Sequence, residues 1–384
     1  MSRFNNQIWF WQEILSPHMG HLAAELANLG HDVIFVANQI LSKERLKQGW
    51  ERAELGKAKL KLAKSKKTYE QLAQKAPINS IHFCQGLRGN GLIINAQRIL
   101  RKRNLKHWAM LEKIDDRGLI GKLRRVLYRV IFLYWHKHLD GVLAFGDGTR
   151  NWIIKRGMKK NKVFSFAYFL KETKMINIPK NSKKKNNSRF RFIYTGQLIK
   201  RKNLDLLIKA LALLKNKKIE LWIVGDGQQK KSLKALANLL LPDQVYWFGR
   251  LSMSKVPVQI NRADCLVLPS HHDGWGAAAS EALMMGTPVI CSDNCGSSIV
   301  VKASKVGGVF SSNNILSLAA ILKKQYKNGK LSVNQRNKIA KWARCLGAMA
   351  GAKYLDLILT SKDKNFIIEP WKKKFYEKKN SLFH

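Results

Sequence analysis

Apolar residues along this chain fall into two rhythms, and their alternation predicts the architecture. Short runs rich in Ile, Val, Phe and Trp, such as "QIWFWQEI" and "HDVIFVA", read as buried strands. Between them "MGHLAAELANLG" has the helical period: Leu22, Leu26 and Leu29 share one face, and Gly30 stops the helix. Further strands are expected at "SIHFCQG", "GLIIN", "HWAMLE", "GVLAFG" and "VFSFAYF". A Lys-rich helical stretch over 41–76 and a basic, aromatic one over 117–138 lie between them. "IPKNSKKKNNSRF" breaks the pattern; polar and charged, without a hydrophobic period, it reads as a linker or long exposed loop. The alternation then restarts with "FRFIYTGQ", "IELWIVGDG", "QVYWFGR", "CLVLPSH", "PVICSD" and "GGVF". Strands alternating with helices indicate parallel α/β architecture. Two such units joined by one linker indicate a two-domain enzyme with its site in the cleft. The expected boundaries are 1–178 for the first domain, 179–189 for the linker and 190–361 for the second domain. Residues 362–384 form a basic, aromatic tail expected to pack back on the first domain.

A chain of 384 residues is long enough for two domains with sizeable cores. A hydrophobic content of 46% fits a soluble globular protein. The longest apolar runs are too short to span a bilayer, and the N-terminus lacks a basic-then-apolar signal segment, so a cytoplasmic protein is expected. Of the cysteines, Cys84, Cys265, Cys291, Cys295 and Cys345, none shows paired metal spacing; Cys265 and Cys291 read as small core residues. Charge changes the picture more. Seventy Lys and Arg against 25 Asp and Glu give +45, a field that favours nucleic acid, acidic membrane or phosphorylated substrates.

In open parallel sheets ligands bind outside the carboxyl ends of the strands, and the second unit has unusual residues there. "YTGQLIKRKN" places Gly196, then Arg201 and Lys202, before a helix. Two cations at such a turn suit a diphosphate, because the helix amides and the cations both meet negative charge; the alternative is a solvated basic turn. "IVGDGQQKKSL" adds Gly225 and Gly227, where backbone can approach a ligand. "HDGWGAAASEALMMG" is richer. Gly274 and Gly276 allow a tight turn, and small residues open the following helix so that an anion can reach its amides. Asp273 and Glu281 flank that entrance and can accept hydrogen bonds from ligand hydroxyls. A polyhydroxylated ligand carrying a diphosphate is a nucleotide sugar. The plainer alternative is a helix cap at Asp273 and a surface residue at Glu281.

Residues 190–310 resemble the donor-binding domain of retaining family 4 glycosyltransferases with the GT-B fold. That family has Glu, seven residues, Glu, then "EALxxGxPVI"; here Asp273 and Glu281 keep the spacing. "TGQLIKRKN", "LWIVGDG" and "FGR" match as well, and "SPHMGHLAAELANLGHDVIFV" carries a looser likeness in the first half. The resemblance implies a GT-B fold, two Rossmann-like parallel-sheet domains facing a central cleft. It implies that Glu281 binds the ribose, Asp273 the donor sugar, and Lys202 the leaving diphosphate. It places the backbone from Gly274 through Trp275, Gly276, Ala277 and Ala278 against sugar and phosphates, with Arg250 beside the base. Gln197 stands where the family often has Arg, so Arg201 is expected to supply the second cation. On the acceptor side Glu112, His107 and His18 are candidates for the residue facing the acceptor, and Gly20 is expected to let the "SPHMG" loop approach the phosphates. The implied activity is metal-free transfer, with retention, from a nucleotide sugar to a glycan or lipid-linked acceptor, in polysaccharide or lipopolysaccharide synthesis. No cofactor and no metal site is expected, and the chain has no Asp-x-Asp.

The basic aromatic segments, 41–76 and 98–137, allow peripheral docking on an anionic inner membrane face. The alternative there is that Val130, Phe132 and Leu133 are core. Competing functions are another GT-B-like enzyme, an epimerase or phosphorylase, and a nucleic-acid-binding protein. No zinc, helix-turn-helix or RNP-like motif supports the last, and no nucleic-acid partner is expected.

Overall fold

The computed structural model describes residues 7–172 and 189–372. The first sheet contains β1 (Gln7–Ile14), β2 (Asp32–Gln39), β3 (Lys59–Leu62), β4 (Ile81–Gln85), β5 (Lys106–Glu112), β6 (Gly141–Phe145) and β7 (Val163–Phe166). Its helices are α1 (Pro17–Asn28), α2 (Lys43–Lys47), α3 (Lys66–Lys75), α4 (Ile93–Lys102), α5 (Gly118–Trp135) and α6 (Thr149–Ile154). The second contains β8 (Phe190–Thr195), β9 (Ile219–Val224), β10 (Val245–Gly249), β11 (Cys265–Leu268), β12 (Val289–Ser292) and β13 (Gly307–Phe310). With it go α7 (Leu204–Ala212), α8 (Lys230–Leu240), α9 (Val256–Arg262), α10 (Ala277–Met284), α11 (Ser298–Ser304), α12 (Ile315–Lys327) and α13 (Val333–Ala343). A last helix, α14 (Ala348–Thr360), follows.

Among the described residues the sheets run β3-β2-β1-β4-β5-β6-β7 and β10-β9-β8-β11-β12-β13, parallel throughout. This is α/β architecture with two Rossmann-like domains. Central strands such as β6 and β11 are buried along their whole length, as strands covered by helices on both faces must be. At the edge, β3 reads "KLKL", and its lysines keep that margin from pairing with another chain. Side chains of the first sheet divide by parity: Phe10, Phe35 and Phe83 stack across β2, β1 and β4 on one face, while Trp9 and Trp11 fill the other.

Three local expectations fail here. "GLIIN" opens helix α4, not a strand, because Ile93, Ala96, Gln97 and Leu100 bury one helical face that five residues are too few to reveal. The 41–76 stretch holds α2, β3 and α3 rather than one helix. The chain also returns to the first domain earlier than residue 362. Helix α14 packs on α1, Tyr354 donates its hydroxyl to Ser165 O at 3.1 Å, and His31 meets Asp356 at 3.0 Å. Trp371 continues that contact against Phe169 and Tyr354, and Lys364 lies over the Trp108 ring. The expected linker, apart from Arg189, and the tail beyond residue 372 lie outside the described residues.

Candidate functional site

Each sheet reverses its strand order once, between β1 and β4 and between β8 and β11. At such a switch point the connections leave in opposite directions and open a crevice outside the carboxyl strand ends. The two crevices face each other. Gly146, after β6, packs backbone to backbone against Gly274 and Gly296, and Asp147 N donates to Gly296 O at 2.8 Å.

The second-domain wall starts at β8. A short 3-10 turn over Lys200–Lys202 ends at Asn203, whose φ of 56° is the left-handed conformation that Asn tolerates. Asn203 donates its side-chain amide to Pro269 O at 3.2 Å, and His271 N donates to Arg201 O at 2.9 Å, so the basic turn is tied to the end of β11. That connection aims both cations at one carboxylate. Lys202 Nζ forms a short ion pair with Asp273 Oδ2; Arg201 stands 3.5 Å from Oδ1 and donates to His272 O at 2.9 Å. Asp273 is held through its backbone as well: its N donates to Asn294 O at 3.1 Å, and its O accepts from Gly296 N at 2.9 Å. Its side chain is 11% exposed and that of Lys202 17%, so the pair is largely shielded while Arg201 reaches solvent.

Helix α10 begins beside this cluster. Its cap is Gly276 at φ 84°, and no side chain covers the first amides. Asp273 is therefore not the cap of this helix. The uncapped start leaves the positive end of the helix open to an anion. Ser297 Oγ, buried beside Gly276, has no hydrogen-bond partner among the described residues. Glu281 is half-buried, and its side chain forms no hydrogen bond or ion pair among the described residues; burial alone pushes its carboxyl up to about 7. Gly196 and Gly225 bring the ends of β8 and β9 together: a Cβ on Gly225, at φ 148°, would overlap Gly196 O. Arg250 is exposed just beyond Gly249, near Asp226.

The first-domain wall is aromatic. His18 lies flat on Tyr168 at 3.7 Å, and Tyr168 donates a short hydrogen bond to Glu112 Oε1. Glu112, at the end of β5, sits over Gly274, where any side chain would run into its carboxylate. Burial, with the Asp273 charge, raises the Glu112 carboxyl against the lowering pull of Tyr168, Arg201 and Lys202. Burial, with the nearby Arg45 charge, lowers His18 to about 3, so the ring is neutral.

The structure thus gathers Arg201, Lys202, Asp273, Gly274 and Glu112 around one crevice, with His18 on its first-domain side. Other candidates fall elsewhere. Gly20 is inside α1, where "SPHMG" forms the helix start; it faces Ala53 and Leu15 and is a packing glycine. His107 sits near the amino end of β5, fully buried and edge-on to Trp135 at 5.6 Å, far along the strand from Glu112. Trp275 is 1% exposed; its ring fills the core, donates to Ser280 Oγ at 3.1 Å and meets Tyr168, leaving only its backbone for a ligand. Tyr168 was missed by the sequence reading, although its place just past a strand's carboxyl end was a signal for it. No cluster of three or more His, Cys, Asp or Glu that could hold a metal is found among the described residues.

Residues 176–344 match the family described as Glycosyl transferases group 1. An uncharacterized glycosyltransferase of Methanocaldococcus jannaschii is 24% identical over 220 residues, 55% of this chain and 56% of that protein. The chain spans about half the length of that curated relative. Among solved structures, Anabaena HepE in complex with UDP superposes with a TM-score of 0.71 at 14% identity, covering 92% of this chain and 99% of its own. The lipopolysaccharide outer core galactosyltransferase WaaB, apo form, superposes with a TM-score of 0.69 at 18% identity, covering 93% and 99%. With the two facing switch points, these likenesses make the fold GT-B, and the second domain carries a glycosyl transferases group 1 domain.

Proposed function

We propose that the protein is a glycosyltransferase that moves a sugar from a nucleoside-diphosphate donor on the second domain to a hydroxyl of a glycan or lipid-linked acceptor on the first. The observation that carries this reading is the Arg201–Lys202–Asp273 cluster beside the uncapped start of α10. When the bond between the anomeric carbon and the diphosphate breaks, negative charge grows on the diphosphate oxygen. Lys202, Arg201 and the helix amides stabilise that charge, a task for which no divalent metal is then needed. In the free protein Asp273 holds both cations in place; a diphosphate competes for them and leaves Asp273 to accept from a sugar hydroxyl. Glu281, lacking a partner, accepts from the ribose, and Arg250 flanks the base. Glu112 and His18 face the acceptor across the crevice.

The family match and the UDP held by the Anabaena structure support a nucleotide-sugar donor; the named role of WaaB supports surface-polysaccharide or lipopolysaccharide synthesis. Retention of configuration belongs to the same reading. A cytoplasmic site at the inner membrane face fits a lipid-linked acceptor, and no helix among the described residues is long and apolar enough to cross a membrane.

Thermal unfolding in the presence of UDP-, GDP-, ADP- and CMP-sugars tests the donor. A ligand at about a hundred times its Kd stabilises the folded state by about 2.7 kcal/mol. One base class is expected to raise the melting temperature clearly above the others. No shift with any of them would overturn the reading.

A further inference from the structure

Helix α5 carries two apolar faces, and the core uses one of them. Tyr128, Phe132 and Trp135 are buried in the core with residues of the first sheet, and Gly121 packs against the Asp116 backbone. On the other side Leu119 (79% exposed), Leu123 (72%), Val126, Val130, Leu133 and Tyr134 point to solvent. Leu119, Leu123, Val126, Val130 and Leu133 follow steps of four and three, a continuous stripe along a helix about 27 Å long. Isolated exposed leucines need no explanation, but a contiguous stripe of this size marks an interaction surface.

The surrounding charge identifies the occupant. Lys122 and Arg129 flank the stripe, Arg124 and Arg125 turn back to the carbonyls of Asp115 and Asp116 at the helix start, and no Asp or Glu occurs from 117 to 139. A second copy docked through the same stripe would set these cations against each other, in a chain of net charge +45. An anionic lipid surface meets both features at once: acyl chains take the apolar stripe and head groups the cations. Position adds a third argument. Five residues, 113–117, join Glu112 to α5, and within them Arg117 pairs with Asp115 at 2.8 Å beside His272 of the second domain. The helix therefore starts at the cleft entrance.

We infer that the outer face of α5 docks the protein on anionic bilayers and sets the acceptor side of the cleft at the lipid surface. This extends the glycosyltransferase reading by making the acceptor membrane-borne; the docking itself does not need catalysis. Helix α5 thus resolves the alternatives at its own residues: Phe132 is core, while Val130 and Leu133 belong to the docking face.

The test is co-sedimentation of the full chain with vesicles of phosphatidylcholine, with and without phosphatidylglycerol, at low and high salt. Binding to the anionic vesicles alone, lost at high salt, is expected. Leu123→Ser with Val126→Ser and Val130→Ser keeps every cation and touches no core residue, and it should lower partitioning at least tenfold. Lys122→Gln with Arg129→Gln should lower it by roughly fivefold per cation. The inference is overturned if the wild type stays in the supernatant with anionic vesicles at low salt. It also falls if the apolar variant binds as well as wild type, since the basic surface at large would then be responsible. Light scattering showing a dimer that the apolar variant converts to monomer would assign the stripe to a second copy instead. Nucleotide-induced thermal shifts of the same preparations report the donor site separately, so loss of docking and loss of the transferase reading are distinguishable.

Discussion

The two walls of the cleft are built on opposite plans. On the second domain the wall is ionic and tightly tied: Lys202 and Arg201, from the turn after β8, share Asp273, from the turn after β11, and backbone bonds hold the two turns together. On the first domain the wall comes from three separated places, His18 after β1, Glu112 at the end of β5 and Tyr168 after β7. It is held by ring stacking and one hydrogen bond. A preorganised ionic wall suits a group on which negative charge develops, such as a departing diphosphate. An aromatic wall with one carboxylate suits a neutral hydroxyl compound. The difference supports the proposed placement of the donor on one side and the acceptor on the other.

The sharpest way to break that assignment is Arg201→Gln with Lys202→Gln. Turnover is expected to fall by two to three orders of magnitude, about the loss found when preorganised oxyanion donors are removed. Asp273 would then be left shielded without a counter-charge, so the melting temperature should fall as well. Adding Asp273→Asn should restore much of the stability but none of the turnover. Steady-state kinetics beside calorimetric unfolding separates the two. Wild-type turnover in the double variant would make the turn a solvated basic loop.

Glu281→Gln has the next largest effect, on donor affinity. Losing a hydrogen bond to a charged group costs about 1.5–3 kcal/mol, roughly tenfold to a hundredfold in Kd. The pH dependence gives an independent check. Burial raises the Glu281 carboxyl from the usual range to about 7, so it ionises in the folded protein only as pH passes about 7. Donor affinity should rise through that window and become flat in the Gln variant. Stability runs the other way. The folded state keeps a proton that the unfolded chain gives up at lower pH, so this stabilising term is present in acid and is lost as pH rises through about 7. Isothermal titration across pH, with unfolding midpoints of the free protein, measures both.

The contrast between the walls also explains what could be read from the sequence. Arg201, Lys202, Asp273, Gly276 and Glu281 were legible because each lies in one of two short motifs, "TGQLIKRKN" and "HDGWGAAASEALMMG", and strand ends announce themselves by Gly and charge. Tyr168 was not: its place just past β7 marks it as a candidate, but its partners His18 and Glu112 come from β1 and β5 lying in the same sheet, which no local spacing encodes. Gly20 was misread for a related reason: a glycine near a strand end serves packing or ligand approach alike, and Ala53, distant in sequence, decides it. His107 looked available in "HWAMLE", yet parity along β5 points it at Trp135 and away from the crevice. In α5 composition could not separate Phe132 from Val130, because both faces of the helix are apolar.

Tyr168→Phe carries the smallest expected effect and tests the acceptor wall most directly. The ring remains, so its stack on His18 and its contact with Trp275 survive; only the hydroxyl that donates to Glu112 is lost. The tyrosine itself stays neutral at any working pH, since burial and the neighbouring Glu112 hold its phenol well above the ordinary value. Its hydrogen bond favours the ionised carboxylate, opposing burial and Asp273, which raise Glu112. Without it the Glu112 value rises further, and the acidic limb of the turnover profile should move to higher pH. At alkaline pH, where Glu112 is ionised in both proteins, turnover should differ by less than about tenfold, a typical scale for one neutral donor's hydrogen bond. Donor affinity should not change, because no donor contact is assigned to Tyr168. Should nucleotide binding weaken while the pH profile stays fixed, Tyr168 would belong to the donor side, and the division of labour between the two walls would fail at that residue.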